Sequence, residues 1–222
     1  MIAMILAAGR GERLRPLTDE KPKPLIPIGE YTLIEHQMLR LKNAGINEIV
    51  INTAYLGHLI ESHLGSGKNL GVHIRYSNET RALETGGGIY QALPFLGDEA
   101  FIVVNSDIWT DYPYEHLNIE TDKDAHLVLV NNPAHHPEGD FHLNNNKLLS
   151  STRDGGQKLT FSGIGLYHPR LFAHCKPGAF PLAGVLRAAM AQGRVSGEHY
   201  TGEWVDVGTH ERLDYVRHLV KN

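Results

Sequence analysis

Cysteine occurs once in the 222 residues, at Cys175, so no internal disulfide framework can hold the fold, and the composition agrees with a reducing compartment. Neither sign of charge dominates: 21 basic residues stand against 25 acidic ones, and no global basic field points to a nucleic acid or an anionic membrane as partner. No apolar stretch is long enough to span a bilayer. The opening run MIAMILAA lacks a basic flank and passes straight into glycine and arginine, which reads as a buried strand and not as a signal peptide. A cytoplasmic location is the expectation. There is no G-x-S-x-G elbow, no repeat, no low-complexity tract and no linker. The 14 histidines include His135, His136 and His142, whose spacing matches no compact zinc set. Tyrosines and tryptophans are scattered and form no stacking platform for nucleic acid. What is present is 41% hydrophobic content, enough for a substantial core, and the chain is expected to form a single domain over residues 1–222.

The most informative segment runs from Leu6 to Leu25, LAAGRGERLRPLTDEKPKPL, a glycine-rich turn behind an apolar strand, followed by Arg13, Arg15, Lys21 and Lys23. Glycine at positions 9 and 11 lets main-chain N–H groups approach phosphate oxygens, while the cations neutralise their charge. A dinucleotide fingerprint needs a third glycine where Leu14 stands, and no helix runs freely into Pro16. A Walker loop needs G-K-[ST] at its close, whereas here the lysines arrive in K-P-K-P, about ten residues later. The segment is therefore a third kind of phosphate loop, sized for a triphosphate.

Up to about residue 105 the pattern alternates strand and helix, which calls for a mainly parallel sheet with helices on its faces. Strands are expected at 2–7, 48–52, 72–77 and 101–105, and helices from the Thr32-x-x-Glu35 capping box to Gly45, from Tyr55 to Leu64 and from Ile89 to Leu93. Beyond residue 120 come short apolar runs at 127–130, 141–143, 147–150 and 160–168, separated by Asn, Gly and Pro as in antiparallel hairpins. Helices are expected at 181–190 and from the cap Thr209 through Leu219. The fold class is thus α/β, Rossmann-like, with a mixed, mainly parallel sheet. Residues 1–120 form a nucleotide-binding half and 121–222 an antiparallel half.

Asp107 follows the strand 101–105, so its carboxylate belongs at the carboxyl edge of the sheet, where open α/β folds bind ligands. Asp206 interrupts the apolar segment WVDVGT and is costly to bury unless paired or metal-bound. Together the two can hold Mg²⁺, a hard cation that takes oxygen ligands and bridges phosphates. LETGGG (83–88) reads as a second glycine-rich turn against which a flat base can lie, or equally as flexible loop closure or a helix start. Glu79 can accept a hydrogen bond from the ring N–H of uracil, thymine or guanine.

L-A-A-G-R-G-E-R-L-R-P-L-T followed by K-P-K-P-L resembles the signature of the sugar-phosphate nucleotidyltransferases. The resemblance extends to the strand end at Asp107, to FSG at 161–163 and to W-V-D-V-G-T at 204–209. Within that family LETGGG, VNSDIWTDY, GDF, TFSGIG and SGEHYTGEWVDVGT are most similar to enzymes that act on N-acetylmuramate α-1-phosphate with UTP in bacterial cell-wall recycling. The resemblance implies that Ala7, Ala8, Gly9, Gly11, Glu79 and Gly86 surround the nucleotide. Arg13 would meet the departing pyrophosphate, and Lys23 would bridge the sugar phosphate and the α-phosphate. It implies Asp107 and Asp206 as Mg²⁺ ligands, and Asp140, Ser162, Gly163 and Glu198 as sugar contacts. The asparagine that some relatives use for an acetamido group falls at Phe161. Thymidylyl or guanylyl transfer, and a catalytically silent nucleotide-sensing subunit, stay open as alternatives. So do the oligomeric state and the partner of a lactyl carboxylate, for which Arg153, Lys158, Arg187, His136 and His199 are all candidates.

Overall fold

The computed structural model describes residues 1–152 and 156–221. Strand β1 (Ile2–Leu6) ends in the glycine turn, and a short helix α1 (Leu17–Glu20) and a hairpin of β2 (Pro27–Ile28) and β3 (Tyr31–Thr32) lead to helix α2 (Leu33–Asn43). The Thr32 main-chain N–H donates to Glu35 at 2.7 Å, closing the expected capping box. Strand β4 (Glu48–Thr53), helix α3 (Gly57–Leu64), strand β5 (His73–Asn78), helix α4 (Glu84–Leu96) and strand β6 (Phe101–Asn105) complete the alternating half. Next come β7 (Ile108–Thr110), β8 (Ala125–Val130), β9 (Phe141–Leu143), β10 (Leu149–Ser150) and the long β11 (Gln157–Tyr167). Helix α5 (Leu182–Met190), β12 (Val195–His199), β13 (Trp204–Asp206) and helix α6 (His210–Leu219) close the chain.

One sheet runs through both halves. Strands β5, β4, β1 and β6 are parallel neighbours in that order, β11 adds antiparallel to β6, β8 antiparallel to β11, and β12 parallel to β8. Alternation along the strands feeds two cores. Ala3, Ile5, Ile49, Ile51, Ile102 and Val104 face α2 and α3, whereas Met4, Val50 and Val103 face α4 and α5. Each of these side chains apart from Ala3 is worth about 1.5–3 kcal/mol when fully removed from water. A third cluster packs Val205, Val207, Leu213 and Val216 against Leu14, Ile26 and Ile28, and thereby fixes the segment around Asp206 beside the phosphate turn.

Two expectations need correction. LETGGG is no turn: its glycines lie in the first turns of α4, and the helix continues past Pro94 to Leu96. The absence of side chains there serves close packing, since a Cβ on Gly87 would stand 2.2 Å from the Gly178 carbonyl oxygen and one on Gly88 would stand 2.6 Å from Glu79 Oε1. Pro94 is tolerated in the last turn, where only one intrahelical bond is forfeited.

Candidate active site

A cavity of about 910 Å³ opens at the carboxyl edge of the parallel strands. Its wall takes the glycine turn from Ala8 to Leu14, then Lys23, then Asn105 to Asp107 from the end of β6, with Glu79 and Arg81 on one side and Gly208 on the other. Gly11 adopts φ 68°, and its carbonyl oxygen accepts from Leu14 N and Thr18 Oγ1, both at 3.0 Å, which folds the turn back on itself. Of the cations expected here, Arg13 and Lys23 line the cavity. Arg15 pairs instead with Asp19 at 2.6 Å in an exposed i,i+4 contact, and Lys21 is exposed outside the wall. Arg10, over the Tyr55 ring at 5.3 Å, and Arg81 take their places.

Lys23 is buried to 7% exposure and donates to Asp107 Oδ2 at 2.6 Å. Asp107 and Asp206 are brought together by a small sheet: β13 pairs antiparallel with β7, Asp206 stands opposite Ile108, and Val207 N donates to the Asp107 carbonyl at 2.8 Å. Asp206 Oδ1 accepts from Arg212 Nη1 at 2.8 Å and lies 3.1 Å from His135 Nε2. Asp107 offers hard oxygen donors in the cavity wall, while Asp206 lies beside that wall and does not line it. Among the described residues no group of three or more His, Cys, Asp or Glu is arranged to hold a metal. That sparse donor set suits Mg²⁺, which keeps water and phosphate oxygens in its shell, and does not suit a closed structural zinc site.

A buried chain of hydrogen bonds sets the nucleotide side. Ala7 N donates to Asn52 Oδ1 at 3.0 Å, Asn52 Nδ2 to Glu79 Oε1 at 2.7 Å, and Leu83 N to Glu79 Oε2 at 3.0 Å. Both Glu79 oxygens are thus engaged, each keeping a lone pair for a further donor. Asn52 had a signal in the sequence, a polar residue near the end of an apolar strand. Arg212, six residues from Asp206, had no distinguishing local pattern, and His135 had none because its meeting with both depends on tertiary packing across some 70 residues of chain.

The residues expected around a sugar divide. Asp140 Oδ2 accepts from Phe161 N at 2.8 Å, and its Oδ1 lies 3.1 Å from His136 Nε2. Ser162 is buried in a bulge of β11. Its hydroxyl donates to Val128 O at 2.7 Å and accepts from Ile164 N at 3.1 Å, so it is engaged structurally. Gly163 holds φ 83° there, and a Cβ would meet Asn105 Nδ2 at 2.5 Å. These contacts anchor the bulge to the strand that ends at the cavity. Gly86, inside α4, does not line the cavity, and a Cβ there would strike the Phe180 ring. Glu198 stands apart, in a separate cleft of about 90 Å³ with His116, His126 and Lys147. Hydrogen bonding with His126, together with a bond from the Tyr112 hydroxyl, keeps its carboxyl below the usual range in spite of burial. Among the lactyl candidates, His199 is engaged with Asn131 at 2.9 Å, Arg187 lies on α5, and Arg153 falls outside the described residues.

A glycine turn, a buried lysine and the Asp107 carboxylate share one cavity, and Asp206 stands outside its wall on the adjoining strand β13, an arrangement suited to a nucleotide's phosphates. Residues 2–141 match the nucleotidyl transferase family, and the chain belongs to that family. It is 50% identical, over 99% of its own length and 98% of the relative's, to the N-acetylmuramate alpha-1-phosphate uridylyltransferase of Neisseria meningitidis serogroup B. The enzyme of the same description from Caulobacter vibrioides is 35% identical over 93% of this chain and 91% of its own. In fold, the chain matches a crystal structure of a putative glucose-1-phosphate thymidylyltransferase from Bacillus anthracis with a TM-score of 0.84, at 24% identity, over 100% of this chain and 96% of that one.

Proposed function

We propose that the chain transfers a uridylyl group from UTP to N-acetylmuramate α-1-phosphate, giving UDP-N-acetylmuramate and pyrophosphate. It would act as a single domain, in the cytoplasm and in cell-wall recycling. The observation that carries the reading is the convergence of Arg13, Lys23 and Asp107 on one cavity in a chain related over 99% and 93% of its length to two such uridylyltransferases. An oxygen of the sugar 1-phosphate attacks the α-phosphorus of UTP in line. The new P–O bond forms as the bond to the β-phosphate bridging oxygen breaks, and pyrophosphate leaves with that electron pair. No covalent enzyme intermediate is required, because the nucleophile is already an anion. Lys23 neutralises charge between donor and acceptor phosphates, and Arg13 meets the leaving pyrophosphate. Main-chain N–H groups from Ala8 to Gly11 cradle the triphosphate, and a free lone pair of Glu79 accepts the uracil ring N–H. Asp107 and Asp206 would hold Mg²⁺, which when bound offsets phosphate charge as a Lewis acid. Asp140 orders the Phe161 backbone beside the sugar, while Ser162 and Gly163 shape the bulge beneath it.

Pyrophosphate release, measured with UTP, dTTP, GTP and CTP against the 1-phosphates of N-acetylmuramate, N-acetylglucosamine, glucose and mannose, tests the assignment. The expected result is fastest turnover for UTP with N-acetylmuramate 1-phosphate, abolished by EDTA and restored by Mg²⁺. Faster turnover with another pair would reassign base or sugar, and release from no pair would favour a nucleotide-sensing role.

A further inference from the structure

Both carboxylates of the proposed metal pair are matched by a cation of the chain itself. Lys23 Nζ holds Asp107 and Arg212 Nη1 holds Asp206, at 2.6 and 2.8 Å. Arg212 Nη1 and His135 Nε2 both meet Asp206 Oδ1, at 2.8 and 3.1 Å, so a metal ion that takes this oxygen competes with Arg212. The other end of that guanidinium points toward the phosphate turn. A Cβ built on Gly208 would stand 2.4 Å from Arg212 Nη2 and 2.9 Å from Arg13 Nη2; laid end to end, those distances bound the separation of the two nitrogens at about 5.3 Å. Two guanidinium groups that close repel unless an anion lies between them. Asp206 offsets Arg212, but among the described residues Arg13 has no carboxylate partner. Arg212 Nε is buried without a hydrogen-bond partner, so the side chain is only partly satisfied where it stands. Gly208 lines the cavity, and any larger residue there would fill the space that separates the two arginines.

We propose that Arg212 is a phosphate-binding residue held in reserve by Asp206: when a divalent ion takes Asp206, the guanidinium is released to share a substrate phosphate oxygen with Arg13. The inference rests on the nucleotidyl-transfer reading above. Cation and anion sites are then filled together, since each carboxylate surrendered to the metal frees a cation for phosphate. The exchange keeps the empty site close to neutral and the loaded site charge-matched. A guanidinium fits the second role because its planar fork can keep two oxygens in register.

The test uses the full chain, with Mn²⁺ as probe, titrated by electron paramagnetic resonance with and without UTP, beside pyrophosphate-release kinetics on the same samples. For Arg212→Met the exchange predicts opposite signs. Mn²⁺ alone binds about fivefold tighter than to wild type, the scale of removing a competing, partly exposed ion pair, while kcat falls roughly tenfold or more. Arg212→Lys, which keeps a charge without the fork, shifts Mn²⁺ binding the same way and recovers part of kcat; it decides the matter if the Met variant melts below the assay temperature. Unchanged or weaker Mn²⁺ binding in folded variants overturns the exchange and leaves the reaction reading standing. Wild-type protein that releases pyrophosphate yet binds no Mn²⁺, with or without UTP, removes the two-carboxylate site and the exchange with it.

Discussion

At the scale of single residues, Lys23 carries the clearest physical argument. Burying an ammonium to 7% exposure is costly unless an anion offsets it, and Asp107 supplies one at 2.6 Å. The contact also keeps the lysine extended toward the cavity, so the cost of ordering its four-carbon stem is met before substrate arrives. Replacing it with alanine removes one preorganised positive group and leaves Asp107 unpaired beside incoming phosphates. Lys23→Ala should therefore lose roughly 10² to 10³ in kcat, the loss typical of deleting one electrostatic donor at a reacting centre. Single-turnover measurement with saturating UTP and sugar phosphate checks this, and near wild-type turnover would take Lys23 out of the mechanism. Glu79 shows the complementary case. Its place by the base was read from its acceptor chemistry beside the glycine segment and from resemblance, but its engagement with Asn52 and Leu83 comes from tertiary packing that no local pattern announces.

At the scale of elements, helix α4 separates propensity from packing. Glycine inside a helix costs about 0.5–1 kcal/mol relative to alanine, so Gly88→Ala would ordinarily stabilise. Here the added methyl would stand 2.6 Å from Glu79 Oε1 and 2.9 Å from Asn52 Nδ2, inside the buried hydrogen-bonded chain. Steric conflict with two fixed polar atoms outweighs the gain in propensity. Gly88→Ala is expected to lower the melting temperature and to raise KM for UTP, whereas a more stable variant with unchanged KM would show that Glu79 can move aside without consequence. The same helix marks the boundary of what could be read from sequence. The phosphate turn, the capping box at Thr32 and Asp107 at a strand end were legible, because each depends on neighbours within a few residues. LETGGG was misread as a turn because the reason for its glycines lies with Gly178, Phe180 and Glu79, remote in the chain or on another element. Ser162 was named as a sugar contact by resemblance alone, and its engagement with Val128 appears only when β8 and β11 pair.

At the scale of the whole molecule, the question is what keeps the antiparallel half in register with the parallel half that carries the phosphate turn. Apolar burial supplies most of the stability but little direction, whereas Asp124 supplies direction at the edge of the sheet opposite the cavity. Its carboxylate, almost fully buried, accepts from Arg170 Nε at 2.7 Å and pairs with Arg194. Its main chain accepts from His168 N at 2.9 Å and donates to Arg194 O at 2.8 Å. One residue therefore joins the start of β8, the end of β11 and the approach to β12. Asp124→Asn keeps the shape and removes the charge. Both arginines are more than a third exposed, so water can resolvate them, and the cost should fall short of the 3–5 kcal/mol seen when a fully buried pair is broken. About 1.5–3 kcal/mol is expected, the worth of hydrogen bonds to a charged group. In a chain of this size each kcal/mol shifts the melting temperature by about 2–4 °C. Because the clamp and the cavity lie at opposite ends of the strands, kcat and KM measured well below the melting temperature should stay close to wild type. A wild-type melting curve would show that apolar packing alone sets the register. A loss of turnover at low temperature would show instead that the far edge of the sheet communicates with the phosphate site.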